Sequence, residues 1–479
     1  MKITIVGGGT AGWIAAYFIC KSQPNIHDIT VIESSKIGII GAGEGSTGTM
    51  SELLTGQFFN YSVDVEDFLQ KTDGTYKLGI MHKNWLGNNG QYFAPIDVSP
   101  TAFAYEDLFF KYVYAKYGKE KMHISSEIGI NYEKRDYSNT SAFHFDGHKV
   151  GKYFKNECEK DGVVTIDSIV NDVAINDSGD ITSIELENGQ NLKSDFYIDC
   201  TGFAKVLINK IGVKWKSYKE YLPVNCAMPF LLPYEENEKP LPYTSATALS
   251  SGWMWNIPLR TRKGCGYVFD ENCISKEQAQ NEIELLLKRK IEPIKFIKFE
   301  SGRVETFWKN NVLSLGLASA FVEPLEATSI HSTIIQLLFF VKEYLLQDKD
   351  KTITEYNKKS YNEKMTKFYD LILDFISYHY QGGRNDTVFW RNINGKMTPN
   401  AKIYYERSKE KIPSVLETNG IFGSPTAGLW NWISAGLNII TPNQANKEIT
   451  ENSIKYNIVK EDYKKFLEKM NYKDYISYY

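Results

Sequence analysis

Cysteine is scarce and scattered, with six residues at positions 20, 158, 200, 226, 265 and 273 and no Cys-x-x-Cys pair among them. That spacing excludes a disulfide framework or a thiolate cluster as the organising device and fits a reducing compartment. Long apolar runs are missing too. The densest, Ile334 to Val341, is broken by Gln336 and falls far short of the ~18 residues of a membrane span. Charge of one sign is also missing. Lys and Arg number 55 against 58 Asp and Glu, and a net charge of −3 gives no electrostatic reason to expect nucleic acid or a membrane surface as partner. No secretory leader is expected, because residues 3–6 already read as a core strand. Apolar residues at 42% and charged residues at 24% exclude wholesale disorder. The expectation is a cytoplasmic protein of roughly two to four structural units at ~150 residues each.

Ile3-Thr4-Ile5-Val6 is a β-branched run suited to a buried parallel strand. It leads into Gly7-Gly8-Gly9-Thr10-Ala11-Gly12, a Gly-x-Gly-x-x-Gly turn, and then into a helical stretch from Trp13 to Lys21. Gly7 permits the tight turn, Gly9 lets backbone approach a pyrophosphate, and Gly12 lets helix and strand pack closely. The helix N-terminus offers free N–H groups to the phosphates. A second strand, Asp28 to Ile32, ends at Glu33. That position lies about 20 residues past Gly12, where a carboxylate accepts hydrogen bonds from ribose hydroxyls.

Later segments favour FAD over NAD. A second glycine-rich loop, Gly41-Ala42-Gly43-Glu44-Gly45-Ser46, follows Glu33. Asp195 to Gly202 reads as a strand entering a Thr-Gly turn, and Val312 to Leu315 as a strand before Gly316. Returning strands suit a long cofactor laid across one domain. A second strand, glycine loop and helix for NAD(P)H is not found, so electrons must come from another protein.

From Gly162 to Asp199 short apolar runs alternate with polar turns, which predicts β-hairpins. Ser275-Lys276-Glu277-Gln278 is a capping box opening a helix to about Lys290. Beyond about Thr333 the pattern is mostly helical, and no internal repeat or low-complexity tract is present.

Four segments together resemble the flavin-dependent tryptophan halogenases: Gly7 to Trp13, Thr75-Tyr76-Lys77-Leu78-Gly79-Ile80, Trp253-Met254-Trp255-Asn256-Ile257-Pro258, and Phe321 to Ser329. The third matches the family's Trp-x-Trp-x-Ile-Pro, and Phe143 to Asp146 and Asp386 to Trp390 are smaller echoes. The resemblance implies an α/β fold. It has a Rossmann-like FAD-binding domain of the flavin monooxygenase type, an inserted β-sheet substrate region and a helical C-terminal region. A discontinuous core is expected over 1–345, with the inserted sheet at about 205–300, and a mainly helical, substrate-covering region over 346–479. The expected FAD contacts are Gly7, Gly9, Thr10, Ala11, Gly12, Glu33, Gly43, Glu44, Leu317 and Ile330.

The resemblance further implies that FADH2, supplied by a separate NAD(P)H-dependent flavin reductase, and O2 oxidise chloride or bromide to hypohalous acid. Lys77 is then the catalytic lysine, presenting the oxidant to a small electron-rich aromatic, indoles first. An ammonium can donate a hydrogen bond that polarises hypohalous acid toward X⁺. A haloamine route needs a neutral amine, and a nearby carboxylate opposes that, so charged Lys77 is expected. Glu326 is its expected partner, stabilising the arenium intermediate and accepting its proton, with Glu323 as second choice. Thr328 and Ser329 are implied to hold halide through backbone N–H groups, although Ala327 and Ser329 depart from the family's more familiar residues. Trp253 and Trp255 share a strand face and are implied to partition flavin from substrate.

Other features weigh less. His144 and His148 lie four apart, but Phe145 stands where a zincin has Glu and Gly147 weakens a helix, so no metal is expected. His331 reads as a satisfied polar residue near the cofactor. Trp430 and Trp432 are candidates for an aromatic sandwich around the substrate, which core packing explains equally well. The enzymatic rival is an aromatic flavin monooxygenase, opposed by the Trp-x-Trp segment and by Gly316-Leu317-Ala318 where hydroxylases carry Gly-Asp. A non-catalytic flavin sensor needs neither Lys77 nor Glu326. Ring position, halide, reductase and oligomeric state, a homo-oligomer included, stay open.

Overall fold

The computed structural model describes residues 1–38, 42–95, 110–111, 114–116, 118–119, 142–346, 354–413, 427–451, 457 and 461. Its first layer is a six-stranded sheet with Lys2–Val6 at the centre. On one side of that strand lie Asp28–Glu33 and then Val164–Asp167; on the other lie Phe196–Asp199, Val312–Ser314 and the edge strand Trp308–Lys309. All pairings are parallel except that of the edge strand. Val164–Asp167 thus joins the parallel sheet instead of a hairpin. The expected hairpins are confined to Val170–Ile175, Ile181–Leu186 and Asn191–Leu192.

The helix Thr10–Ser22 is apolar nearly all round and buried from Gly12 to Cys20. A helix of that kind must be covered on several sides. The sheet and the helices Gly147–Lys160 and Thr328–Phe340 supply the cover. Its entry turn depends on Gly7, whose φ is +112° and whose absent Cβ would lie 2.2 Å from the Cys200 carbonyl oxygen. No L side chain fits that conformation or that space.

The second layer is a seven-stranded sheet, ordered Ile297–Lys298, Cys226–Leu232, Lys263–Phe269, Gly252–Pro258, Thr244–Leu249, Gly79–Lys83 and Gln91–Pro95. The expected inserted sheet at 205–300 is therefore completed by two strands from far earlier in the chain. Gly79–Lys83 adds in parallel to Thr244–Leu249, and this puts Lys77 and the Trp-x-Trp strand in one structure. Ser275 does form a capping box, but its helix stops at Leu287, where Lys288 adopts the left-handed conformation. Beyond residue 354 the described elements are helices, the longest being Glu355–His379. No described helix is long and apolar enough to cross a membrane.

All six cysteines are free, and five are buried. Trp430 packs on Phe375, Tyr378 and Tyr404, with ring centroids 5.2, 5.0 and 4.5 Å away. Trp432 meets Phe110 at 5.8 Å in a separate cluster. Both are core residues of the helical region, and neither faces a shared slot.

Gly7→Ala is expected to lose at least ~2 kcal/mol of stability from its forced φ and backbone clash. Urea unfolding of the purified variant measures it.

Candidate active site

The glycine turn, the start of Thr10–Ser22 and Glu33 meet at one end of the parallel sheet. Glu33 is pinned there: its Oε2 accepts from the Trp13 indole N–H at 3.0 Å and its Oε1 from Lys155 Nζ at 2.5 Å. Beyond the turn, nothing lies within 4 Å of where a Gly9 Cβ would stand. The turn Gly316–Ala318 closes on the same helix, since a Gly316 Cβ would lie 2.7 Å from that of Ala11. Next to this region is a cavity of about 260 Å³ lined by Gly43, Glu44, Leu317, Ile330 and both Trp253 and Trp255. An open backbone cradle at a helix N-terminus, a carboxylate at the second strand end and an adjoining apolar cavity fit FAD. Gly41 of the second glycine loop lies outside the described residues.

Glu44 is half-buried in the short strand Glu44–Gly45, and desolvation, aided by Asp146, raises its pKa to about 7. Asp146 caps the helix Gly147–Lys160 and pairs with Arg262 at 2.7 Å. His144 lies on the strand Phe143–Phe145 and contacts Thr75 through Nδ1 at 3.1 Å and Thr244 through Nε2 at 2.9 Å. His148 is in the first turn of the following helix, so the two histidines do not share a helical face. His331 Nδ1 contacts Thr47 and Thr49 at 2.9 and 3.1 Å, and burial lowers its pKa to about 3. It is a neutral, structural residue.

Lys77 follows the strand Thr75–Tyr76 and is fully buried. Its Nζ donates to the Ser46 carbonyl at 3.1 Å, and a Gly45 Cβ would sit 3.0 Å from it. The side chain borders the cavity that holds both tryptophans. Burial lowers the amine's pKa to about 7, against the pull of Glu326. Desolvation thus outweighs the carboxylate, whose pull alone had favoured the charged form, and makes the ammonium easier to deprotonate than a lysine in water.

Glu326 ends the one-turn helix Pro324–Glu326, and Ala327 beside it holds φ +54°. A left-handed alanine costs about 1–2 kcal/mol. Here it reverses the chain so that the carboxylate points away from the cavity while Thr328–Phe340 begins at it. Glu326 lies outside the cavity lining, whereas Thr328 and Ser329 are within it. That helix has no side-chain cap and no acidic residue in its first turn. Its first N–H groups are thus placed for a small anion.

The two carboxylates of this segment have different partners. Glu323 Oε1 accepts from the Trp253 indole N–H at 2.9 Å and from the Tyr380 hydroxyl at 2.7 Å. Glu323 therefore braces the tryptophan wall, and burial raises its pKa to about 7. Trp253 and Trp255 stand edge to face, with centroids 6.4 Å apart.

Sequence reasoning missed two histidines beside Glu326. His379 Nε2 lies 2.9 Å from Glu326 Oε1, and its Nδ1 lies 2.8 Å from the Phe375 carbonyl. A carbonyl only accepts, so Nδ1 donates to it and Nε2 is left facing Glu326. His82 Nε2 is 3.8 Å from the same oxygen, and its ring stacks on Tyr92 at 4.7 Å. Strand alternation from the cavity-lining Ile80 could have indicated His82. No local signal reaches His379, 53 residues beyond its partner.

A dinucleotide cradle, an adjoining apolar cavity lined by two tryptophans and a buried amine at its border are the features of a flavin-binding oxidoreductase. Comparison with known proteins specifies the class. The chain belongs to the tryptophan halogenase family, whose profile matches residues 2–451. It is 28% identical over 453 residues to tryptophan 6-halogenase SttH of Streptomyces toxytricini, covering 86% of this chain and 84% of that one. It is 30% identical over 439 residues to 7-chloro-L-tryptophan 6-halogenase KtzR of Kutzneria sp., covering 83% and 82%. The crystal structure of SttH superposes with a TM-score of 0.80 at 25% identity, covering 96% of each chain. A flavin-dependent halogenase from Xanthomonas campestris superposes at 0.81 and 25% identity, covering 96% of this chain and 95% of the other. The protein is a flavin-dependent halogenase.

The raised values of Glu323 and Glu44, each about 7, favour their neutral forms in the fold. That stability is fully present below the unfolded carboxyl range and is lost as pH rises through about 7. Between pH 5 and 7 each group contributes a fall of up to ~1.4 kcal/mol per pH unit. Glu323→Gln, which keeps an acceptor for Trp253 and Tyr380, should make the fall shallower in urea unfolding of the FAD-free protein.

Proposed function

We propose that this halogenase acts on an electron-rich aromatic of the tryptophan and indole class, with Lys77 delivering the halogen and Glu326 accepting the ring proton. The observation that carries this reading is the fully buried Lys77 amine, bordering the cavity on one side and under the pull of Glu326 on the other. The relatives' action on tryptophan and chlorotryptophan supports the substrate class.

Gly7, Gly9, Thr10, Ala11, Gly12, Glu33, Gly43, Glu44, Leu317 and Ile330 would hold FAD. When bound as FADH2, supplied by a separate flavin reductase, it furnishes with O2 the oxidising equivalents that turn halide into hypohalous acid. Thr328 and Ser329 backbone N–H groups hold the halide at the uncapped helix start. Trp253 and Trp255, braced through Glu323, keep the aromatic on the far side. The helices described between 355 and 451 would cover that side.

There the Lys77 ammonium hydrogen-bonds the oxygen of hypohalous acid. The aromatic π pair attacks the halogen, the O–X bond breaks, and the oxygen leaves as water with a proton from Lys77. An amine that titrates near 7 gives up that proton readily. The arenium C–H pair returns to the ring as its proton passes to Glu326, and proton return to Lys77 closes the cycle. Hypohalous acid and arene become aryl halide and water.

Incubation of indole or tryptophan with FAD, a flavin reductase, NADH, O2 and chloride or bromide should yield halogen mass shifts. An added oxygen alone would point to hydroxylation instead. Lys77→Ala should abolish aryl halide while FAD binding and hypohalous acid output persist, and unchanged aryl halogenation by the folded variant would remove Lys77 from the mechanism. Glu326→Gln should lower turnover at least ~100-fold with modest change in substrate binding; near-normal turnover counts against its role.

A further inference from the structure

We propose that His82, His379 and Glu326 form a binding site for a divalent cation of the zinc class. Three elements distant in sequence converge there: the strand Gly79–Lys83, the C-terminal end of the helix Glu355–His379 and the turn Pro324–Glu326. One ligand atom from each lies within 4.8 Å of the other two, and all three side chains are buried. Two of the separations are 2.9 and 3.8 Å, both to Glu326 Oε1. Zinc at ~2.0–2.2 Å from each ligand needs donor atoms about 3.3 Å apart, and these distances bracket that spacing.

The two histidines add independent support. His379 has its Nδ1 fixed on the Phe375 carbonyl, which turns Nε2 toward the centre of the cluster. Metal-bound histidines are oriented by such a backbone contact on the second nitrogen. His82 is fully buried, and its ring faces the Ile80 backbone and Glu326 Oε1, the latter 3.8 Å from Nε2. At that distance the contact with Glu326 is longer than a hydrogen bond and close to the spacing of two ligands on one ion. Two nitrogens and one carboxylate oxygen select zinc, cobalt or iron over magnesium or calcium, which prefer oxygen alone. The ion takes the place of the direct contact between His379 Nε2 and Glu326 Oε1.

Binding follows from this geometry alone; its effect on turnover rests on the role proposed for Glu326. An ion on that carboxylate withdraws the proton acceptor, so zinc would stop aryl halogenation while hypohalous acid output continues.

The test is a titration of the untagged, metal-free full chain with Co²⁺, followed by its visible d–d absorption. One equivalent per chain should bind with a spectrum of nitrogen and oxygen ligation, and Zn²⁺ should displace it. His82→Phe, which keeps a ring to stack on Tyr92, should weaken binding at least ~10-fold. His82→Gln serves as the second variant should the first fail to fold. Absence of a saturable equivalent, or the same equivalent in a folded His82 variant, overturns the site. A bound equivalent that leaves turnover intact would keep the site and instead remove Glu326 from proton acceptance.

Discussion

The rest of the site depends on removing one amine from water. In solution a lysine holds its proton with a pKa of about 10.4 and is a poor proton donor at neutral pH. Buried between the glycine loop and the turn of Glu326, the Lys77 amine keeps the Ser46 carbonyl as acceptor and has its pKa lowered to about 7. Desolvation and the carboxylate act in opposite directions on it, and desolvation wins. The balance leaves a group that can donate a proton and take it back within the physiological range.

The architecture serves that balance. The strand Gly79–Lys83, pairing with Thr244–Leu249, anchors the Lys77 segment to the sheet carrying Trp253 and Trp255. The left-handed Ala327 turns the chain there, leaving Glu326 outside the cavity lining while Thr328 opens a helix within it. Glu323 ties the Trp253 indole to Tyr380 of the helical region. A carboxylate three residues from another thus has a bracing role.

Much of the nucleotide-binding half was legible in the sequence because its signals are local. A β-branched strand, a glycine turn and a terminal glutamate are read within the first 33 residues, and each lies where the pattern puts it. The capping box at Ser275 is local in the same sense. The inserted sheet was only partly legible, since the pairing of Gly79–Lys83 with Thr244–Leu249 is a long-range contact with no signature in either strand. Hairpin spacing likewise could not separate Val164–Asp167, which joins the parallel sheet, from its neighbours. At the site, motif context singled out Lys77 and Glu326, but the protonation balance depends on burial, which spacing does not encode. His379 was invisible for the same reason, because a helix 53 residues away brings it to Glu326.

The central claim is that desolvation sets the proton affinity of Lys77. Its most direct test is an NMR titration of lysine-labelled protein, following the side-chain resonance that vanishes in a Lys77 variant. The account predicts a midpoint near pH 7, well separated from the other lysines. A midpoint with the bulk of the lysines near pH 10 would contradict it.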